Sequence, residues 1–297
     1  MTDNMTQARP ANPAGRTQKP RRSGDAPHRG PREGAHGTDG PRGKSRFDAD
    51  KPKSAGFGAR RGPGRAKKAR AEGQAEPFIR RAIPEMDTAF TRMGIDPRVA
   101  INLPELGLNE PTPIQAEAIP ALVAGRDLLG LAQTGTGKTA AFSLPMLTHL
   151  VTKGERAEPL SCKALILAPT RELATQIAQN VEAFARGTGI RSFRVVGGAS
   201  INVQVDRLAR GVDVLIATPG RLIDLIERKA VRFDQTRYLV LDEADQMLDI
   251  GFIHALRRIA KLLPAERQTM LFSATMPKLM EELADSYMTD PVRVAVN

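Results

Sequence analysis

The sequence predicts a doubly wound α/β domain, a parallel sheet with helices on both faces, preceded by a disordered basic tail. Three observations lead there. Seven short apolar runs of strand length recur from about residue 128 to the end of the chain. Stretches with helical period separate them, the pattern of a parallel sheet covered on both sides. Ahead of them the composition changes abruptly near residue 75.

Residues 1–75 contain no Val, Leu or Ile, but 12 Gly and 8 Pro. They also hold 18 of the 44 Lys+Arg and 7 of the 33 Asp+Glu, so the whole net charge of +11 lies there and residues 76–297 are neutral. Such a segment cannot bury enough apolar surface to offset the entropy of ordering it. The expectation is therefore a disordered Arg/Gly/Pro-rich tail over 1–75 and one globular domain over 76–297. Two readings of the tail stand side by side: a solubilising extension, or a polyelectrolyte drawn to nucleic-acid phosphates. Only Phe47 and Phe57 are present there to stack on bases.

Other classes fall away on composition. Cys162 is the only cysteine, which excludes an intrachain disulfide and an all-Cys metal site and suits a reducing compartment. No run of about 18 apolar residues exists to span a membrane, and the opening MTDNMTQARP lacks the apolar core of a secretory signal. A cytoplasmic protein with no membrane partner is expected.

The strands expected in order are 128–132, 164–168, 193–196, 214–218, 238–242, 269–273 and 292–296. The intervening helical segments include 171–187, with Leu173, Ile177, Val181 and Phe184 on one face, then 201–211, 219–229 and 277–288. Ligands of such sheets sit beyond the carboxyl ends of the strands, so chemistry-bearing residues are sought just after each one.

The first strand runs into Ala132, Gln133, Thr134, Gly135, Thr136, Gly137, Lys138 and Thr139. This is a phosphate-binding loop with Ala at the usual first glycine. Its glycines let backbone N–H groups turn onto phosphate oxygens, Lys138 reaches the β and γ phosphates, and Thr139 offers its hydroxyl to Mg²⁺. The fifth strand ends in Asp242, Glu243, Ala244 and Asp245. An acid at that place holds Mg²⁺, partly through water, opposite Thr139, and Glu243 orients or deprotonates the attacking water. Lys138, Asp242 and Glu243 form the expected catalytic set. The sixth strand ends in Ser273-Ala274-Thr275, whose hydroxyls either cap the next helix or bond to Asp245 on the neighbouring strand end.

These residues, with PTPIQ at 111–115, PTRELA at 169–174, Gly197-Gly198 and TPGR at 218–221, resemble the DEAD-box family of ATP-dependent RNA helicases, superfamily 2. The wording around 132–147 and 271–277 resembles the bacterial RhlE-type branch. The resemblance covers about residues 88–297 and implies a RecA-like P-loop NTPase domain with a Q motif at about 88–116, using ATP and Mg²⁺. It implies that Gln115 reads the adenine edge and that Phe90 is the upstream aromatic accompanying the motif. Pro169, Thr170, Arg171, Gly198, Thr218, Pro219, Gly220 and Arg221 match positions that grip the RNA sugar-phosphate backbone, which carries no base code. Thr170 and Thr218 would also serve as ordinary helix caps. Asp245, Ser273 and Thr275 would couple the nucleotide site to another surface. Leu108 departs from the family, which usually carries an aromatic there to stack on adenine.

The resemblance also implies a partner domain. Family members have two tandem RecA-like domains, and the arginine-rich motif of the second is not found here, so the chain is expected to hold the N-terminal half and to be nearly inactive alone. Two other readings remain at this stage: a non-enzymatic RNA-binding or annealing fragment, and a DNA helicase of the same superfamily.

Overall fold

The computed structural model describes residues 82–296, and the tail expected over 1–75 lies outside the described residues. Seven strands form a single sheet: β1 Leu128–Ala132, β2 Cys162–Leu167, β3 Ser192–Val195, β4 Val212–Ala217, β5 Tyr238–Leu241, β6 Gln268–Ser273 and β7 Val292–Val296. Their order is β3-β4-β2-β5-β6-β1-β7, and every pairing is parallel. All seven apolar runs are strands, as expected. β2 and β4 begin two residues earlier than the runs, because ladder hydrogen bonding extends through Lys163 and Asp213, which an apolar pattern does not mark.

The helices are α1 Ala89–Arg92, α2 Pro97–Ala100, α3 Pro113–Val123, α4 Lys138–Lys153, α5 Arg171–Phe184, α6 Ile201–Leu208, α7 Pro219–Glu227, α8 Ala244–Asp249, α9 Ile253–Ala260 and α10 Lys278–Tyr287, with a 3₁₀ turn at Pro104–Leu106. Local chemistry sets their starts. Thr88 closes a capping box with Thr91 at α1, the Asp96 side chain accepts the Arg98 N–H ahead of α2, and Thr112 and Gln115 form the box that opens α3. Pro97, Pro113 and Pro219 occupy first-turn positions, where a missing N–H costs nothing.

The two faces of the sheet carry separate cores. Alternate residues Ile166, Ile216, Val240 and Phe272 pack with Ile119, Met146 and Val181 of α3, α4 and α5. The residues between them, Leu165, Leu215, Leu239 and Leu271, pack with Leu222, Met247, Leu256 and Met280 of α7 to α10. Both faces are buried, so the strands have to be apolar at every position rather than at every second one.

At the middle of β1 a side chain has no room. A Cβ on Gly130 would lie 2.6 Å from Phe272 Cδ1, a ring with no exposed surface that also packs against Phe142 with centroids 5.6 Å apart. Gly130→Ala is expected to lower stability by about 1–3 kcal/mol through overpacking, measured by urea unfolding. An unchanged midpoint would show that the ring moves aside freely.

Candidate nucleotide site and adjoining groove

Because β5, β6 and β1 are neighbours, the segments that follow them meet at one edge. The loop after β1 turns sharply: Gly135 has φ +87° and Gly137 φ +95°, both left-handed. A Cβ on Gly137 would lie 2.5 Å from Gln115 Nε2 and 2.9 Å from Thr112 Oγ1. Position 137 therefore requires glycine on two counts, backbone conformation and space. The 16-residue helix α4 starts at Lys138 and directs its free amide end at the loop.

Lys138 is only 6% exposed. Its Nζ donates to the Ala132 carbonyl at 3.1 Å and lies 4.0 Å from Asp242 Oδ1. Asp242 is 2% exposed. Burial pushes its carboxyl up to about 6; the Lys138 charge works against that shift, while the Glu243 charge adds to it. Glu243 adopts the left-handed backbone at φ 50°, uncommon for a residue with a Cβ. Its carboxylate Oε1 accepts from the Thr134 hydroxyl at 3.1 Å, and its N–H donates to Asp242 Oδ1 at 3.0 Å.

A cavity of about 450 Å³ opens between these groups. Thr134, Gly135, Gly137, Lys138 and Thr139 line it with Asp242 and Glu243, and so do Leu106, Leu108, Gln115, Leu173, Gln176, Asn180 and Phe184. Gln115 is fully buried and ties the helix before β1 to the loop after it. Its Oε1 accepts from Thr112 N–H at 3.0 Å, and its Nε2 donates to the Gly137 carbonyl at 3.1 Å. The Thr112 hydroxyl adds a bond to the Thr136 carbonyl at 2.8 Å.

Behind the acids, Asp245 reaches β6. Its Oδ2 accepts from the Thr275 hydroxyl at 2.9 Å, the Thr275 N–H at 2.9 Å and the Ala274 N–H at 3.2 Å. Partial burial raises the Asp245 carboxyl, but the bonds from Thr275, from Gln246 N–H and from Ser273 outweigh it and hold the carboxyl below the ordinary aspartate value. The shortest bond of the Ser273 hydroxyl goes to the Thr275 carbonyl at 2.6 Å.

Beside this site, at the ends of β2, β3 and β4, lies an open groove of about 430 Å³. Pro169, Thr170, Arg171, Gly197, Thr218, Gly220 and Arg221 line it. The Arg171 side chain has no hydrogen bond or ion pair among the described residues and rests on Gly197 and Gly198, where a Cβ on Gly198 would clash with it. Thr218, the N-cap of α7, makes no side-chain cap bond, whereas Thr170 accepts from Leu173 N–H at 3.2 Å. Arg221 donates to the Ala199 carbonyl at 2.9 Å and lies 3.6 Å from Asp224.

The sequence that places Lys138 beside the strand-end Asp-Glu pair is similar to those of known proteins. The family model described as DEAD/DEAH box helicase matches residues 112–283. The chain belongs to the DEAD/DEAH box helicase family. It is 43% identical over 211 residues to RNA helicase CrhR of Synechocystis sp., a match covering 71% of this chain and 42% of that protein. To DEAD-box ATP-dependent RNA helicase 24 of Oryza sativa it is 43% identical, covering 72% of this chain and 28% of the relative. To DEAD-box ATP-dependent RNA helicase 30 of Arabidopsis thaliana it is 42% identical, covering 73% and 36%. The chain thus spans less than half the length of each of these helicases.

Within the helicase fold the sequence-derived residues divide. Thr134 to Thr139, Asp242 and Glu243 cluster around the cavity, except that Thr136 turns its hydroxyl to the Gln133 carbonyl at 2.9 Å and neither residue lines the wall. Ala132 contributes its carbonyl to Lys138. Phe90 is 1% exposed, in the core with Ile95 and Leu103, and does not line the cavity. Gly198 and Pro219 support the groove without lining it, and Gly197 takes the lining place. The sequence reading missed Leu106, Leu173, Gln176, Asn180 and Phe184. The helical stripe of 171–184 was visible, but not that one of its edges borders the cavity.

Thr275→Val removes one donor to Asp245 and leaves three backbone donors in place. It is expected to cost about 1 kcal/mol and to let the Asp245 carboxyl rise toward its ordinary value. Denaturant unfolding and a carboxyl-carbon NMR titration check the two effects.

Proposed function

We propose that residues 76–297 form the ATP-binding half of an ATP-dependent RNA helicase. The observation that carries this reading is the placement of buried Lys138 4.0 Å from Asp242, with Thr139 and Glu243 on the wall of the same cavity. A buried cation, inward-turned loop amides and a helix amide end make a cradle for a polyphosphate anion. An acid and a hydroxyl lining one cavity, Asp242 and Thr139, suit Mg²⁺, whose chemistry when bound is to neutralise charge on phosphate oxygens.

In this reading Lys138, now on the Ala132 carbonyl, would bind the β and γ phosphates, and Thr139 and Asp242 would hold the metal, Asp242 partly through water. Glu243 leaves Thr134 to orient and accept the proton of the attacking water, so that Asp242 and Glu243 divide metal holding from base work. Gln115 keeps one N–H and one lone pair for the adenine edge. Asp245, Ser273 and Thr275 link the nucleotide site to the remainder of the helicase.

The groove takes the RNA backbone. The unpaired Arg171 guanidinium, the uncapped Thr218 hydroxyl and the amide ends of α5 and α7 all suit phosphate oxygens and carry no sequence information. The basic tail over 1–75 adds non-specific affinity. A second RecA-like domain supplies the arginines that stabilise the transferring phosphoryl group, a contribution of about 10³–10⁵ in rate in comparable NTPases. The unpaired Arg171 favours this reading over a domain that only binds nucleotide. RNA is favoured over DNA by the names of the relatives, each an RNA helicase.

Two measurements test the proposal. Lys138→Ala is expected to weaken Mg-ADP binding about 10- to 100-fold by removing a charge-assisted phosphate contact; calorimetry giving equal affinity would remove the loop from the mechanism. Arg171→Ala is expected to weaken single-stranded RNA binding equally across sequences and to reduce the slope of log affinity against log salt by about 0.7. Unchanged affinity and slope would take the groove out of RNA binding.

A further inference from the structure

Part of the cavity wall comes from a helix and not from the loop after β1, the acids after β5 or Gln115. Leu173, Gln176, Asn180 and Phe184 follow one another at helical spacing along α5, and all four border the cavity. Leu106 and Leu108 line the same cavity and offer dispersion contact to the face of a ring but no hydrogen bond from their side chains. Gln115 is largely committed, with its oxygen on Thr112 and its nitrogen on Gly137. One N–H and one lone pair remain, fewer than a purine edge and a ribose require.

Gln176 and Asn180 differ from it. Both side chains are exposed, both face the cavity, and neither has a hydrogen bond among the described residues. They stand four residues apart, on neighbouring turns of one face. Each primary amide presents a donor and an acceptor together, the pattern of a heteroaromatic base edge. Lys138, Asp242 and Glu243 line the same cavity, so a nucleotide held by Lys138 shares that space with the two amides.

We infer that Gln176 and Asn180 are specificity-determining residues that hydrogen-bond the base end of the bound nucleotide, offsetting the aliphatic Leu108 in place of an aromatic platform. This rests on the nucleotide reading above. It adds two polar side chains to the recognition otherwise left to Gln115 and the loop.

The test is calorimetry on residues 1–297 with Mg²⁺ and three probes: ADP, GDP and pyrophosphate, the last having phosphates but no base. Both residues are exposed, so Gln176→Leu and Asn180→Leu keep the fold, checked by circular dichroism. The double variant is expected to bind ADP about tenfold more weakly, to bind pyrophosphate as before, and to lose part of its preference for ADP over GDP. ADP affinity within twofold of the parent overturns the inference. So does an equal loss for pyrophosphate, which would place the effect on the loop. Lys138→Ala runs alongside: if it leaves ADP and pyrophosphate binding unchanged, the nucleotide reading itself fails, whereas its effect without one from the double variant sinks only the role of α5.

Discussion

All seven strands run parallel, and the architecture of both candidate sites follows from that constraint. In a parallel sheet every strand ends at the same edge, and each crossover helix that begins there exposes unsatisfied N–H groups. The loop after β1, the acids after β5 and the Ser-Ala-Thr segment after β6 thus assemble into one pocket because β5, β6 and β1 are adjacent. The ends of β2, β3 and β4 build the groove on the other half of the same edge. Helix α5 borders both: Thr170 and Arg171 at its start line the groove, and Gln176 and Asn180 further along line the cavity.

The pocket is built against the usual preferences of a folded chain. A lysine and an aspartate are both nearly fully buried, and 4.0 Å separates them, longer than a tight ion pair. Burial raises Asp242 to about 6 even with Lys138 beside it, so the two charges do not satisfy each other completely. Glu243 holds a left-handed backbone that non-glycine residues seldom adopt. Such strain persists because the neighbours over-determine it. Asp242 accepts the Glu243 N–H, Thr134 holds its carboxylate, and β5 and α8 fix the chain on either side. Neighbouring charges and strained backbone of this kind concentrate where a ligand completes the electrostatics.

The segment before the sheet acts as a brace. Thr112 and Gln115 open α3 as a capping box and, with the same side chains, hold the carbonyls of Thr136 and Gly137. A helix start and a phosphate loop therefore share one hydrogen-bond network, and the space a Cβ would need at Gly137 is filled by Gln115 and Thr112 themselves.

By itself the sequence determined the parallel α/β class, all seven strands, the glycine loop after β1 and the acids after β5. Each is written in a short window: apolar runs without alternation, glycines at fixed spacing, carboxylates directly after a strand. The hydroxyls after β6 were left between capping a helix and bonding to Asp245, and the adjacency of β5 and β6 decided for Asp245 at Thr275. Tertiary structure decided the rest. Whether Phe90 faced a ligand or the core could not be read from the sequence, because burial is set by what packs over it, here Ile95 and Leu103. The partners of Gln115 lie on a loop 22 residues away, and Thr134 meets Glu243 across 109 residues. The amphipathic pattern of α5 marked an apolar face but not its polar edge, where Gln176 and Asn180 look like ordinary surface residues. Only the packing of α5 alongside the Leu106–Leu108 turn makes that edge the wall of a cavity, since a helical period records which side is buried and carries no information about what stands opposite the side that is not.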